Sequence, residues 1–121
     1  MLITVDPSSA QPLAGQVAGS VRNAVASGQV APGDKLPSAR NVAASLGINL
    51  HTVLRGYQQL RDEGLVELRR GRAAVITSTA DAFRLRLAAA AEEYANAALQ
   101  AGASDEDAVA AVRHALLSAR E

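Results

Sequence analysis

The chain has 121 residues, 49% of them hydrophobic, which allows one globular domain with an appendage but not two large cores. It has no cysteine and only two histidines, His51 and His114, far apart, so a disulfide framework and a thiolate or paired-imidazole metal site are excluded, and neither metal nor cofactor is expected. The formal net charge is zero but unevenly spread: residues 35–86 carry nine basic against four acidic side chains, and residues 87–121 carry two against six. That distribution, a basic middle and an acidic tail, bears on partners more than the sum does.

Residues 1–11 read as an N-terminal arm. They open with no basic start followed by an apolar core, and no apolar run in the chain reaches membrane-span length. The expectation is a cytoplasmic protein with no membrane partner. Leu2, Ile3 and Val5 suit a short extended segment, with no evident partner. Pro12 stands where a helix can begin, because its missing N–H is not needed in a first turn. Leu13, Val17, Val21 and Val25 recur every four residues and mark one helical face, ending near Gly28. Residues 29–37, with Pro32, Gly33, Asp34 and Pro37, form a turn-rich connector.

Ser38 is a good N-cap for a second helix, which turns Val42, Ala43 and Leu46 inward and stops at Gly47. Asn49 caps a third, with Val53, Tyr57 and Leu60 on one face and an end at Gly64. Two helices joined around Gly47-Ile48-Asn49 have the spacing of a helix-turn-helix. The period then changes. Residues 65–69 and 73–77 read as two strands, with Arg70-Gly71-Arg72 as the turn between them. Such a hairpin must pack on the helices to persist. Three helices and a hairpin make a winged helix over residues 12–77.

The remainder, residues 78–121, reads as two helices over roughly 79–101 and 105–118. Ser78 with Asp81 and Ser104 with Asp107 are capping signals. Phe83, Leu87, Ala90, Tyr94 and Ala98 form one stripe; Val109, Val112 and Leu116 form another. Two such helices have little room for a core of their own. Phe83, Leu87, Tyr94, Val109, Val112 and Leu116 are therefore expected in a tail core or a subunit interface. The fold class is mainly α with a small β-hairpin, a winged helix-turn-helix followed by a two-helix dimerisation segment.

The third helix is the recognition-helix candidate. Asn49, His51, Thr52 and Arg55 lie near its N-terminal half, the part inserted into a major groove. Arg55 suits a guanine edge or a phosphate. Arg40 follows Pro37-Ser38 by one turn and suits the flanking backbone, with Lys35 a weaker candidate. At the hairpin tip Arg69, Arg70 and Arg72 repel one another, which a phosphate backbone or a narrow minor groove would relieve. Gly71 permits positive φ there and a close approach. Solvation of an exposed face is the plainer reading for each of these residues. No set of polar residues forms a catalytic constellation or a phosphate loop, so no enzyme activity is expected.

In sequence these segments resemble the GntR family of bacterial transcriptional regulators. The resemblance rests on Pro12-Leu13, Gly28, Pro32-Gly33-Asp34-Lys35-Leu36-Pro37-Ser38, Arg40-Asn41-Val42-Ala43, Leu46-Gly47-Ile48-Asn49, Thr52-Val53, Tyr57 to Leu60, Glu63-Gly64-Leu65-Val66 and the Arg70-Gly71-Arg72 turn. The short tail is similar to that of the YtrA-type subfamily, whose helices form the dimer. The resemblance implies DNA contact by Arg40, which follows the Pro-Ser pair, by Asn49, His51 and Thr52, and by the wing at Arg70, Gly71 and Arg72; Ser38, beside Arg40, is counted with these DNA-binding candidates. Two positions depart from the pattern. Leu50 offers no polar base contact, and Ala73-Ala74 stands where the family's wings commonly have glycine.

The expected function is a homodimeric, sequence-specific regulator of transcription that represses by binding double-stranded DNA at an inverted-repeat operator. The alternative is a winged helix that meets protein rather than DNA. A small-molecule effector is not expected within one subunit, because packing should consume the large apolar side chains of the tail.

Overall fold

The computed structural model describes residues 1–120; Glu121, the last residue of the expected tail, lies outside them. The described residues form α1 (Leu13–Ala26), α2 (Ala39–Leu46), α3 (Leu50–Asp62), β1 (Val66–Glu67), β2 (Val75–Ile76), α4 (Thr79–Gln100) and α5 (Asp105–Ala119). This is a mainly helical winged helix-turn-helix with a small hairpin, followed by two C-terminal helices. The chain divides into two units, Met1–Leu85 and Arg86–Glu121.

Local chemistry accounts for the helix ends. The Ser38 hydroxyl accepts from the Asn41 N–H at 3.1 Å, and the Asn49 carboxamide accepts from the His51 N–H at 2.7 Å. Each satisfies a donor that the first helical turn leaves unpaired. Gly47 ends α2 at a φ of 66°, a left-handed conformation that glycine adopts without strain. The tight turn between α2 and α3 depends on it.

The core of the first unit joins Val17, Val21 and Val25 of α1 to Val53, Tyr57 and Leu60 of α3, with Val42, Leu65, Val66 and Ile76 closing it. Each such side chain, fully buried, contributes about 1.5–3 kcal/mol. A helix pair this close needs a small residue at the crossing, and Gly56 supplies it. A Cβ there would stand 2.8 Å from the Ala14 carbonyl oxygen and 3.0 Å from Val17 Cγ1.

Two segments differ from the sequence expectation. The strands are two residues each, paired antiparallel as Val66 with Ile76 and Glu67 with Val75, rather than five each. β2 also has a partner on its other edge. The connector that reads as turns also contributes an extended segment, with Lys35 bridged to Val75. Leu36 N–H donates to Ala74 O at 2.8 Å, and Ile76 N–H donates to Asp34 O at 2.9 Å. The chain of β2 is thus held from both sides, and the wing between the strands is anchored at its base by Leu68 and Ala74, which pack on the core. The arm also has a partner. Ile3 is buried in the core, Thr4 exchanges two hydrogen bonds with the Ser20 hydroxyl, and Asp6 N–H donates to the Gln16 side chain.

The start of α4 is held by backbone bonds, Ala80 N–H to Thr77 O and Asp81 N–H to Ser78 O, while the Asp81 carboxylate faces Arg84 at 3.5 Å. Phe83, placed by its spacing in the tail stripe, packs instead against the core of the first unit. In the second unit Ser104 caps α5 by accepting from the Asp107 N–H. The Tyr94 hydroxyl donates to the Ala108 carbonyl oxygen at 2.6 Å, tying α4 to α5. No side chain of α5 is buried. Leu87, Tyr94, Val109, Val112 and Leu116 are all exposed, as are Leu85, Leu99 and Leu117. No helix among the described residues is long and apolar enough to cross a membrane.

Candidate nucleic-acid interface

Helix α3 buries Val53, Gly56, Tyr57 and Leu60 and turns its opposite face to solvent. That outward face carries His51, Arg55 and Gln58, spaced one helical turn apart, with Leu54 beside them. Thr52 is half-buried, and its hydroxyl lies 3.5 Å from Arg55 Nη2. That pairing leans the guanidinium toward the start of the helix. The Asn49 oxygen is committed to its cap, which leaves the amide N–H groups as what it can offer a ligand. The helix is oriented by the Tyr57 hydroxyl, which donates to the Pro37 carbonyl oxygen at 2.6 Å. Burial pushes the Tyr57 pKa up to about 12. At the far end, Arg22 of α1 grips the Glu63 carboxylate through Nε at 2.9 and 3.1 Å.

On α2, Ser38 and Arg40 are exposed at the first turn. The wing presents Arg69, Arg70, Gly71 and Arg72, all exposed, with the Arg72 N–H closing a turn onto Arg69 O at 3.0 Å. Gly71 has a φ of 70°, so the positive φ read from the sequence is present. The three arginines are not equivalent. Arg69 donates twice to Glu67, Nε to Oε1 at 3.0 Å and Nη2 to Oε2 at 3.3 Å. The paired arginine holds the Glu67 carboxyl below its ordinary value, and the carboxylate in turn raises the guanidinium. Arg70 and Arg72 form no ion pair among the described residues, nor do Lys35, Arg40 and Arg55.

A groove of about 420 Å³ runs between α3 and the wing, lined by Ser38, Leu54, Tyr57, Arg69, Gly71 and Arg72 among others. A second concavity of about 310 Å³ brings Lys35 beside Arg69 and Arg72. The structure therefore gathers Lys35, Ser38, Arg69, Gly71 and Arg72 around concave surface. Arg40, Asn49, His51, Thr52, Arg55 and Arg70 line neither concavity. Leu54 and Gln58 are residues of the exposed α3 face, flanking His51 and Arg55, that sequence reasoning passed over. Their spacing from His51, three and seven residues on, was the available signal. Among the described residues, no group of His, Asp and Glu could hold a metal ion, and no buried side-chain polar atom lacks a partner.

Residues 13–76 match the family described as bacterial regulatory proteins, gntR family. The chain is 35% identical over 112 residues to the HTH-type transcriptional regulator Rv1152 of Mycobacterium tuberculosis, covering 93% of this chain and 92% of that protein. It is 37% identical over 79 residues to the HTH-type transcriptional repressor YtrA of Bacillus subtilis, covering 65% of this chain and 61% of the repressor. Among solved structures it is similar to YtrA from Sulfolobus acidocaldarius, a GntR-family transcription factor, with a TM-score of 0.59 and 34% identity. That likeness covers 76% of this chain and 99% of the other.

Proposed function

The chain belongs to the GntR family of bacterial regulatory proteins, DNA-binding regulators rather than enzymes, and we propose that it acts in the cytoplasm as a dimeric repressor of transcription. The observation that carries the reading is the exposed basic surface beside α3. His51 and Arg55 on the helix, and Arg70 and Arg72 on the wing, project without an internal carboxylate partner. A surface of that charge gains by meeting a phosphate backbone and releasing its counterions.

In this account α3 enters the major groove, and Asn49, His51, Thr52 and Arg55 read base edges or adjacent phosphates. Ser38 and Arg40 hold the flanking backbone. Lys35, Arg69, Arg70 and Arg72, with Gly71 allowing close approach, hold the backbone or minor groove beside the wing. Arg69 contributes less than its neighbours, because Glu67 already takes two of its donors and offsets its charge.

Dimerisation rests on the second unit. Leu87, Tyr94, Val109, Val112 and Leu116 leave α4 and α5 with exposed apolar side chains that a second copy would cover. Phe83, half-buried against the first unit's core, offers such a contact less side chain than the others do. A two-fold dimer implies an inverted-repeat operator. Repression is supported by the name of the B. subtilis relative. No dedicated effector site is proposed within one subunit, and control would come from abundance, a partner or a ligand held between subunits.

Selection of bound duplexes from a randomised pool, followed by mobility-shift titrations over a range of salt, tests the reading. The expected result is an enriched inverted repeat whose affinity falls linearly on log–log axes as salt rises. Binding to no duplex, with capture of a protein partner instead, would overturn it.

A further inference from the structure

Among the large apolar side chains of α3, only Leu54 is left exposed, at 38%. Its neighbours on the helix surface are His51, Arg55 and Gln58, all exposed, and its other side lines the groove toward Gly71 and Arg72. The basic groups around it favour a polyanion. An isobutyl group in that setting contributes nothing to phosphate contact, since it offers no donor and no charge. It gains free energy only where the facing surface also has an apolar group to cover it.

Duplex DNA presents one such group in its major groove, the C5-methyl of thymine. We infer that Leu54 is a specificity-determining residue that packs its side chain on a thymine methyl in each half-site. The inference rests on the DNA-binding reading and goes beyond it, because it assigns a base type to a residue with no polar atoms. Charge complementarity selects DNA over a second copy of this chain: Arg55 beside Leu54 on the helix, and Arg69 and Arg72 lining the same groove, would be brought against themselves in a symmetric contact. Gln58, one turn further along the same face, is placed to meet the adjoining base pair.

The test uses the full chain and the duplex it enriches from a randomised pool. Each thymine of a half-site is replaced singly by uracil, which removes only the C5-methyl and keeps the base pair. At one thymine per half-site the replacement should weaken binding about three- to fivefold, the loss of one buried methyl group. Leu54→Ala, which removes the contact from both half-sites at once, should weaken binding to the thymine duplex about ten- to twenty-fivefold and become indifferent to uracil at that position. Leu54→Met should keep the sensitivity. Leu54 is outside the core, so all three proteins should melt within a few degrees of one another, which separates loss of contact from loss of fold. Uracil without effect at every position would overturn the inference and leave the DNA reading standing. So would a uracil penalty that persists unchanged in Leu54→Ala. A pool from which nothing is enriched would remove the DNA reading, and the inference with it.

Discussion

Tyr57 links the recognition helix to the connector that precedes α2, through a phenol that is 4% exposed and donates to Pro37. Its pKa, raised to about 12 by burial, ties stability to alkaline pH. Above about pH 10 the unfolded tyrosine loses its proton while the folded one keeps it, so stability is full below that pH and falls until about pH 12. Tyr57→Phe should cost about 1 kcal/mol near neutrality, the ordinary net worth of a hydrogen bond. Its deficit relative to the parent should then shrink between pH 10 and 12, as read from denaturant unfolding. The wing arginines differ for a similarly local reason. Arg70→Ala should weaken binding to all duplexes and reduce the salt slope by about one unit or less. Arg69→Ala should reduce both by less, because Glu67 competes for its guanidinium; equal losses from the two substitutions would count against that pairing in solution. The candidates His51, Arg55, Arg70 and Arg72 were legible in the sequence because helical spacing and a glycine turn fix their exposure. The clasp on Arg69 was not, since no pattern distinguishes it from its neighbours.

At the scale of elements, α1 and α3 form the contact on which the winged helix depends, and Gly56 sets their separation. Gly56→Ala would gain helix propensity of about 1 kcal/mol but force the Ala14 carbonyl and Val17 aside. Overpacking against backbone costs about 1–3 kcal/mol, so the variant should be less stable by roughly 0–2 kcal/mol and should bind DNA more weakly through a tilted α3. Thermal unfolding with a parallel binding titration checks both. A gain in stability would show that the helices part without cost. The helices themselves were readable because caps at Ser38, Asn49 and Ser104 and stripes such as Val17, Val21 and Val25 are local signals. The pairing of Lys35 with Val75 was not, because it joins segments forty residues apart across a connector whose prolines and glycine speak only of turns. Ile3 in the core was hidden for the same reason. Phe83 continues the helical period of the tail, and periodicity cannot say which neighbour a face will meet.

At the scale of the molecule, the first unit buries an apolar core of its own, whereas the second, among the described residues, buries no large apolar side chain. The tail helices carry exposed Leu87, Leu99, Val109, Val112, Leu116 and Leu117. The stripe logic of the sequence missed Leu85 and Leu99, because alanine on every side of α4 blurs its apolar face, and it missed Leu117 of α5, which stands next to the stripe residue Leu116. Sedimentation at micromolar concentration should return the mass of two chains, and Val112→Glu with Leu116→Glu should return one while leaving the winged helix folded. A monomeric parent would remove the dimer from the account. The exposed acidic residues of the tail, Glu92, Glu93, Asp105, Glu106 and Asp107, would repel a phosphate backbone, which leaves the basic first unit as the surface for DNA.

The backbone amide resonances of the full chain, followed while the enriched duplex is titrated in, test that assignment of surfaces most directly. The account predicts the largest shifts at residues 49–58 and 69–72, with a smaller set at 35–41 and little change at residues 105–120. Shifts confined to residues 86–120, or none at a duplex concentration that saturates the mobility shift, would contradict it.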